Sequence, residues 1–217
     1  GRQPLNHIII LAETQAGMKN LYRLVSYSHL DHFRVKPVIP LSLLALFREG
    51  LIIGSACEQG ELYRAILRNA DDAELTSIAS FYDYLEIQPR GNNQFLVREE
   101  TCSEEDLVAF NRYIVALGER LHKPVVATGD VHFLEPEDAV YRQVLMTKLG
   151  FEDADKQAPL YFRTTDDMLM EFSYLGEDKA REVVVLAPNQ IAARVGTLKP
   201  FPDGTHAPKI EDAENIL

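Results

Sequence analysis

This chain is poor in cysteine, with two residues, Cys57 and Cys102. Two thiols cannot build a disulfide framework, so a reducing, cytoplasmic setting is the expectation. Long hydrophobic runs are also missing. The longest near the start, "IIILA", is far too short to cross a bilayer. No basic, then apolar, then small-residue order opens the sequence, so no secretory signal is expected. Positive charge is scarce: 22 Lys and Arg against 33 Asp and Glu leave a net charge of −11 over 217 residues. Such a surface repels phosphate backbones, so most of the chain is not expected to grip DNA itself. A bound metal can reverse that field locally. There is no G-x-S-x-G elbow, and "GSACEQGE" lacks the Lys and Ser/Thr of a phosphate loop. No internal repeat or low-complexity stretch is present.

What remains is ordinary for a folded domain, with 46% hydrophobic and 25% charged residues. Apolar runs at 7–13 ("HIIILAE"), 51–56 ("LIIGSA"), 82–89 ("YDYLEIQP") and 123–129 ("KPVVATG") read as strands. Met18, Leu21, Leu24 and Val25 recur at helical spacing within 14–30. The prolines of "RVKPVIP" (34–40) force an extended or turning path. Segment 41–49 is helical and stopped by Gly50, and 58–69 and 71–80 are helical too. Residues 91–101 read as a polar loop. Ser103 with Asp106 starts a helix that runs to about Leu121, Pro136 opens another over 136–149, and Thr164 with Asp167 caps a third. Strand–helix alternation predicts a parallel α/β arrangement, open or part of a barrel, because a complete eight-unit barrel needs roughly 250 residues.

Reactive side chains of parallel α/β folds gather at the carboxyl ends of strands. Asp130 and His132 follow "VVATG". In extended backbone, residues i and i+2 point to one side, so this carboxylate and imidazole can converge on a metal such as zinc, manganese or iron. The alternative is a helix-capping Asp beside a hydrogen-bonded His. Cys57, after "LIIGSA", is either a thiolate ligand or a small residue in a tight turn. His7 opens the first strand, where position favours a surface histidine, since ligands belong at the other end. Glu86 is either an acid–base group or a strand glutamate paired with a cation, and the paired structural role is favoured. His29 and His32 in "SHLDHF" look like a ligand cluster, but the favoured reading is the end of an amphipathic helix, where an imidazolium suits the dipole. Cys102, His122 and His206 carry no context beyond surface positions.

Five stretches in order carry a resemblance: "HIIILAETQAGMKNLYRLVSYSHL", "REGLIIGSACEQGEL", "SFYDYLEIQP", "KPVVATGDVHFLEPEDAVYRQVL" and "YFRTTDDMLMEFSYLGEDKAREVVV". Together they resemble the PHP (polymerase and histidinol phosphatase) domain of bacterial DNA polymerase III alpha subunits, most of all the PolC type. The resemblance implies α/β architecture as a partial distorted β/α barrel, with a small helical region at the C-terminus. It implies a cluster of divalent metal (Zn, Mn or Mg). Cys57 falls on the cysteine of the family's S-[AG]-C block, Asp130 and His132 on its final D-x-H, and His7 on the histidine that opens its H-x-x-x-L-A strand. Glu86 matches no ligand position. The family's H-x-H pair, a further His and a Glu are absent, so the site is expected to be incomplete, and metal loss is an open outcome.

The same resemblance divides the chain into 1–150, the PHP segment that follows an exonuclease insertion; 151–197, a helical extension; and 198–217, a linker toward the polymerase palm. It implies a parent that carries out template-directed DNA synthesis. Implied partners are the rest of the alpha chain (exonuclease, palm, thumb) and DNA through that parent, with no membrane. Open sheet edges imply self-association as well. The expected role of this segment is a metal-binding scaffold. The alternatives are a metal-dependent phosphoesterase, acting as a pyrophosphatase or 3′-5′ exonuclease, and a binding module with a vestigial site.

Overall fold

Short strands form where the sequence places its apolar runs. The structure, a computed structural model, describes residues 5–151, 154–201 and 203–205. Strand β1 (Ile9–Ala12) leads into helix α1 (Gln15–Leu30), and α2 (Leu41–Leu46) precedes β2 (Leu51–Gly54). Helices α3 (Glu61–Leu67) and α4 (Asp72–Ser80) precede β3 (Leu85–Ile87). A 3₁₀ turn, Arg90–Asn93, runs into α5 (Gln94–Arg98), and α6 (Glu104–Arg120) leads to β4 (Val125–Ala127). Helices α7 (Ala139–Lys148), α8 (Thr165–Glu171), α9 (Glu177–Arg181) and α10 (Ala187–Arg194) follow, the last two joined through a π-helical turn. No helix among the described residues is long and apolar enough to cross a membrane.

The pairing corrects the all-parallel expectation in one place. Strands β3 and β4 are parallel, with Leu85 opposite Val125 and Ile87 opposite Ala127. A parallel bridge between Gly54 and Tyr84 joins β2 to them. Strand β1, however, runs antiparallel to β2, with Ile9 opposite Gly54 and Ala12 opposite Leu51. The cause lies in the connection. Sixteen residues of α1 carry the chain about 24 Å away. The proline segment and α2 then bring it back, so β2 begins where α1 begins. The Gly50 carbonyl oxygen accepts from the N–H groups of Glu13 (2.9 Å) and Thr14 (3.3 Å). Helix and turn touch so closely that a Cβ on Gly17 would lie 1.7 Å from that oxygen. Gly50 itself has φ +70, a conformation in which L side chains are strained.

The sheet is covered on both faces. Ile53, Leu85, Ile87, Val125 and Ala127 face the main core, with Leu24, Leu62, Leu107 and Leu117 of the surrounding helices. Ile52, Tyr84 and Val126 face the other way and pack on Ala187 and Ile191 of α10. The helix starts follow the sequence. Ser103 and Asp106 form a reciprocal capping box, as do Thr164 and Asp167. Residues 91–101 differ from the expected loop. Asn92 and Asn93 are buried and donate to the Gly129 carbonyl and the Tyr63 hydroxyl, and Leu96 packs in the core. Most of the expected linker, 206–217, lies outside the described residues. Before it, the Gln15 carboxamide exchanges two hydrogen bonds with the backbone of Lys199, so the chain near residue 199 lies against the start of α1.

Gly17→Ala tests the close approach. Helix propensity alone favours alanine by about 1 kcal/mol. Overlap with the Gly50 carbonyl outweighs that gain, so a net loss of about 2 kcal/mol or more is expected in chemical denaturation. A neutral or stabilised variant would show that helix and turn separate without penalty.

Candidate functional site

The antiparallel β1 places its amino end beside the carboxyl end of β2. That corrects the expectation that His7 lies at the wrong end for a ligand. His7 N–H donates to the Gln59 carbonyl at 2.9 Å, and His7 Nδ1 stands 3.5 Å from Cys57 Sγ. Two features shape the turn that presents the thiol. Ala56 has φ +62, and a Cβ on Gly60 would meet the Ser55 carbonyl at 2.2 Å. Burial pushes the Cys57 thiol up to about 11, with the neighbouring Glu58 and Glu86 charges adding to the shift. At neutral pH the sulfur therefore keeps its proton and suits a hydrogen bond to Nδ1.

The next layer comes from β3 and β4. Glu86 is buried, its N–H donates to Ser55 Oγ, and its carboxylate accepts from Thr128 Oγ1 at 2.7 Å and Gln88 Nε2 at 3.4 Å. Among the described residues it has no cation partner, which corrects the paired-carboxylate expectation. Burial raises its pKa above the usual carboxylate range, the Thr128 hydrogen bond opposes this, and the Asp130 charge adds to the rise. Gln88 is 5% exposed, and its Oε1 meets no donor. An acceptor buried without a partner costs roughly 1–3 kcal/mol. Asn92 Nδ2 holds the Gly129 carbonyl at 3.0 Å, which fixes the turn carrying Asp130.

Asp130 has φ +51. The expectation that Asp130 and His132 share a side rested on extended backbone, and this left-handed residue breaks it. His132 Nδ1 lies 3.9 Å from the Asp130 carboxylate and 2.8 Å from the Asp130 main-chain oxygen. A cavity of about 930 Å³ is lined by His7, Cys57, Glu86, Gln88 and Asp130, whereas His132 is not among its lining residues. His32, past the end of α1, lines it too, with Arg34 and Lys36. Among the described residues no three His, Cys, Asp or Glu side chains close around one point. His29 sits in the last turn of α1 as expected. Cys102 is half-buried against the core, and His206 lies outside the described residues.

The donor set fits a divalent metal at one pair. Zinc bonds of about 2.3 Å to sulfur and 2.05 Å to nitrogen, at the tetrahedral angle, separate the two ligand atoms by about 3.6 Å. The 3.5 Å between His7 and Cys57 matches that bite. Sequence reasoning missed Gln88, although "LEIQ" alternates and so sets Glu86 and Gln88 on one face of β3.

Comparison with known proteins places these residues in context. The PHP domain family pattern matches residues 2–90. DNA polymerase III PolC-type of Clostridium perfringens is 57% identical over 215 residues, covering 99% of this chain. The PolC-type polymerase of Caldanaerobacter subterraneus is also 57% identical over 215 residues. That of Bacillus subtilis is 44% identical over 97% of this chain. The chain spans about 15% of the length of each of these relatives.

Substitutions at Asp130 separate backbone strain from side-chain contacts. Left-handed backbone costs an L residue about 1–2 kcal/mol, and glycine gives back about 0.5–1 kcal/mol through the unfolded chain. In EDTA, Asp130→Gly is therefore expected to change stability by less than about 1 kcal/mol, while Asp130→Val loses about 2 kcal/mol. Urea denaturation reads both. A large loss in the glycine variant would mean the carboxylate itself holds the turn.

Proposed function

The chain corresponds over its whole length to one segment of PolC-type DNA polymerase III, and from that premise we propose that it is a metal-binding PHP scaffold within a replicative DNA polymerase. The observation that carries this is the His7–Cys57 pair, 3.5 Å apart, one residue before β1 and the other after β2, in a cavity shared with Asp130. A thiolate and an imidazole favour zinc over magnesium, with manganese better served by oxygen donors. His7 and Cys57 would hold the ion and Asp130 would supply a nearby carboxylate. His132 is the fourth candidate, reached by turning its ring from its own backbone.

When bound, such an ion cross-links β1 to the β2–α3 turn. The protein's part is to hold those elements at ligand distance, which the Gly17–Gly50 contact does, and to keep the sulfur shielded until it loses its proton. In this reading the parent chain is a nucleotidyltransferase that makes DNA on a template, in the cytoplasm. Residues 1–150 are the PHP segment, 151–197 a helical extension and 198–217 a linker. The partners are the exonuclease, palm and thumb of the same polypeptide, and DNA through them. The net charge of −11 argues that the DNA contacts lie elsewhere.

A second reading has one observation in its favour. Arg34 and Lys36 bring positive charge to the same cavity as Asp130. A phosphoesterase would use those cations to seat a phosphoryl group beside the metal.

Zn²⁺ titration decides between them. Bound metal stabilises the folded state by mass action, by about 2.7 kcal/mol at a hundred times the dissociation constant. The scaffold reading expects a higher Tm with Zn²⁺, lost in Cys57→Ser and His7→Ala, and no release of phosphate from pyrophosphate or a DNA 3′ end. Metal-dependent hydrolysis abolished by Asp130→Ala would favour the second. An unshifted Tm across the titration would remove the metal from both.

A further inference from the structure

We propose that helix α7 is a self-docking surface, on which a second copy of this chain packs its own α7, antiparallel, about a two-fold axis.

A surface helix normally buries its apolar stripe and turns its polar face to water. Helix α7 does the reverse. At 3.6 residues per turn, Val140, Tyr141, Val144, Leu145 and, just past the end, Leu149 fall on one half of the helix. All five are between 53% and 72% exposed. The half turned toward the body carries Ala139, Arg142, Gln143 and Met146, each half-buried. Hydrogen bonds hold that half in place. Arg142 donates to Gln157 Oε1 at 2.8 Å, and Gln157 Nε2 donates to the Ala139 main-chain oxygen at 3.0 Å. No residue of α7 is fully buried. An apolar stripe held outward by polar contacts behind it is an interface without its partner.

The order of residues along the stripe says what covers it. Glu137, in the 3₁₀ turn that opens the helix, and Lys148, in its last turn, lie about three turns apart at opposite ends of the exposed half. Among the described residues neither has an ion-pair partner. A two-fold axis crossing midway between positions 142 and 143 sets Tyr141 against the partner's Val144 and Val140 against the partner's Leu145. The same axis sets Glu137 against the partner's Lys148 and Pro136 against the partner's Leu149. Each apolar side chain then meets an apolar one, and acid meets base once at either end. Parallel pairing would instead place Glu137 beside its own copy and Lys148 beside its own. Self-complementarity of this kind is what an isologous interface requires. An unrelated partner would impose no such order. The helix is only about 15 Å long, so the contact falls at the small end of specific interfaces and a micromolar dimer is expected.

Sedimentation equilibrium of the full chain at moderate salt, from micromolar to near-millimolar concentration, tests this. A monomer–dimer equilibrium is expected. Leu145→Asp places a charge at the centre of the contact and is expected to weaken the dimer at least about a hundredfold. Glu137→Lys and Lys148→Glu each bring like charges together at both ends, and each is expected to weaken it about tenfold. Combining the two restores opposite charges and is expected to recover the original affinity. Glu137→Lys also makes the chain less acidic, so relief of overall repulsion would act in the other direction. Urea denaturation checks the fold of each variant, and the charge exchange carries the test if Leu145→Asp unfolds. A monomer at every concentration overturns the proposal and leaves a segment of a longer polypeptide as the cover of α7. A dimer indifferent to these substitutions overturns it too, and points to the open edge of β1. Single variants that weaken the dimer without recovery in the combined one overturn the antiparallel arrangement.

Discussion

The contact between Gly17 and the Gly50 carbonyl sets the geometry of everything at the cavity. It pins the start of α1 to the start of β2, and so decides that β2 runs back along β1. Were β2 parallel to β1, the amino end of β1 and the carboxyl end of β2 would be separated by the length of the strand pair. At about 3.3 Å per residue, four residues put that at roughly 13 Å, out of reach of any shared ligand. With β2 reversed, His7 and Cys57 stand 3.5 Å apart. A steric fact about two glycines thus becomes a fact about donor atoms.

The second constraint is electrostatic. A buried carboxylate without a counter-charge is unfavourable, and Glu86 is spared the full penalty by two hydrogen bonds and by a raised pKa. Gln88 is not spared, since its Oε1 is unsatisfied. The left-handed backbone of Ala56 and Asp130 adds strain on two sides of the same cavity. Ala56, Glu86, Gln88 and Asp130 all line one space of about 930 Å³, to which Arg34 and Lys36 bring positive charge.

Much of this was legible in the sequence, and the failures have physical causes. The strand runs and both reciprocal caps depend on neighbours within a few residues, so pattern reading finds them. The direction of β1 depends on a contact between residues 17 and 50, which no local pattern carries. The 3₁₀ turn at Arg90–Asn93 depends on Asn92 reaching Gly129 and Asn93 reaching Tyr63, partners 37 and 30 residues away. The Asp130–His132 argument assumed an extended chain, and the turn held by Asn92 withdrew that premise. His7 was placed at the wrong end of a strand for the right reason, since the rule it failed applies to parallel strands only.

The scaffold and phosphoesterase readings differ in what must surround the metal. A cross-linking ion needs ligands from separate elements, four of them for structural zinc. His7 and Cys57 supply two, from the chain before β1 and after β2. A hydrolytic ion needs an open coordination position, a water and a route for substrate. The cavity has room, and Arg34 and Lys36 bring charge, but both sit on the segment between α1 and α2, whose prolines fix its path, and no acidic group pairs with either among the described residues. Among the described residues no third His, Cys, Asp or Glu closes on the His7–Cys57 pair. The arrangement therefore meets both demands in part, the structural one with two ligand atoms already at bite distance. That ordering, rather than the family likeness, is why the structural role comes first.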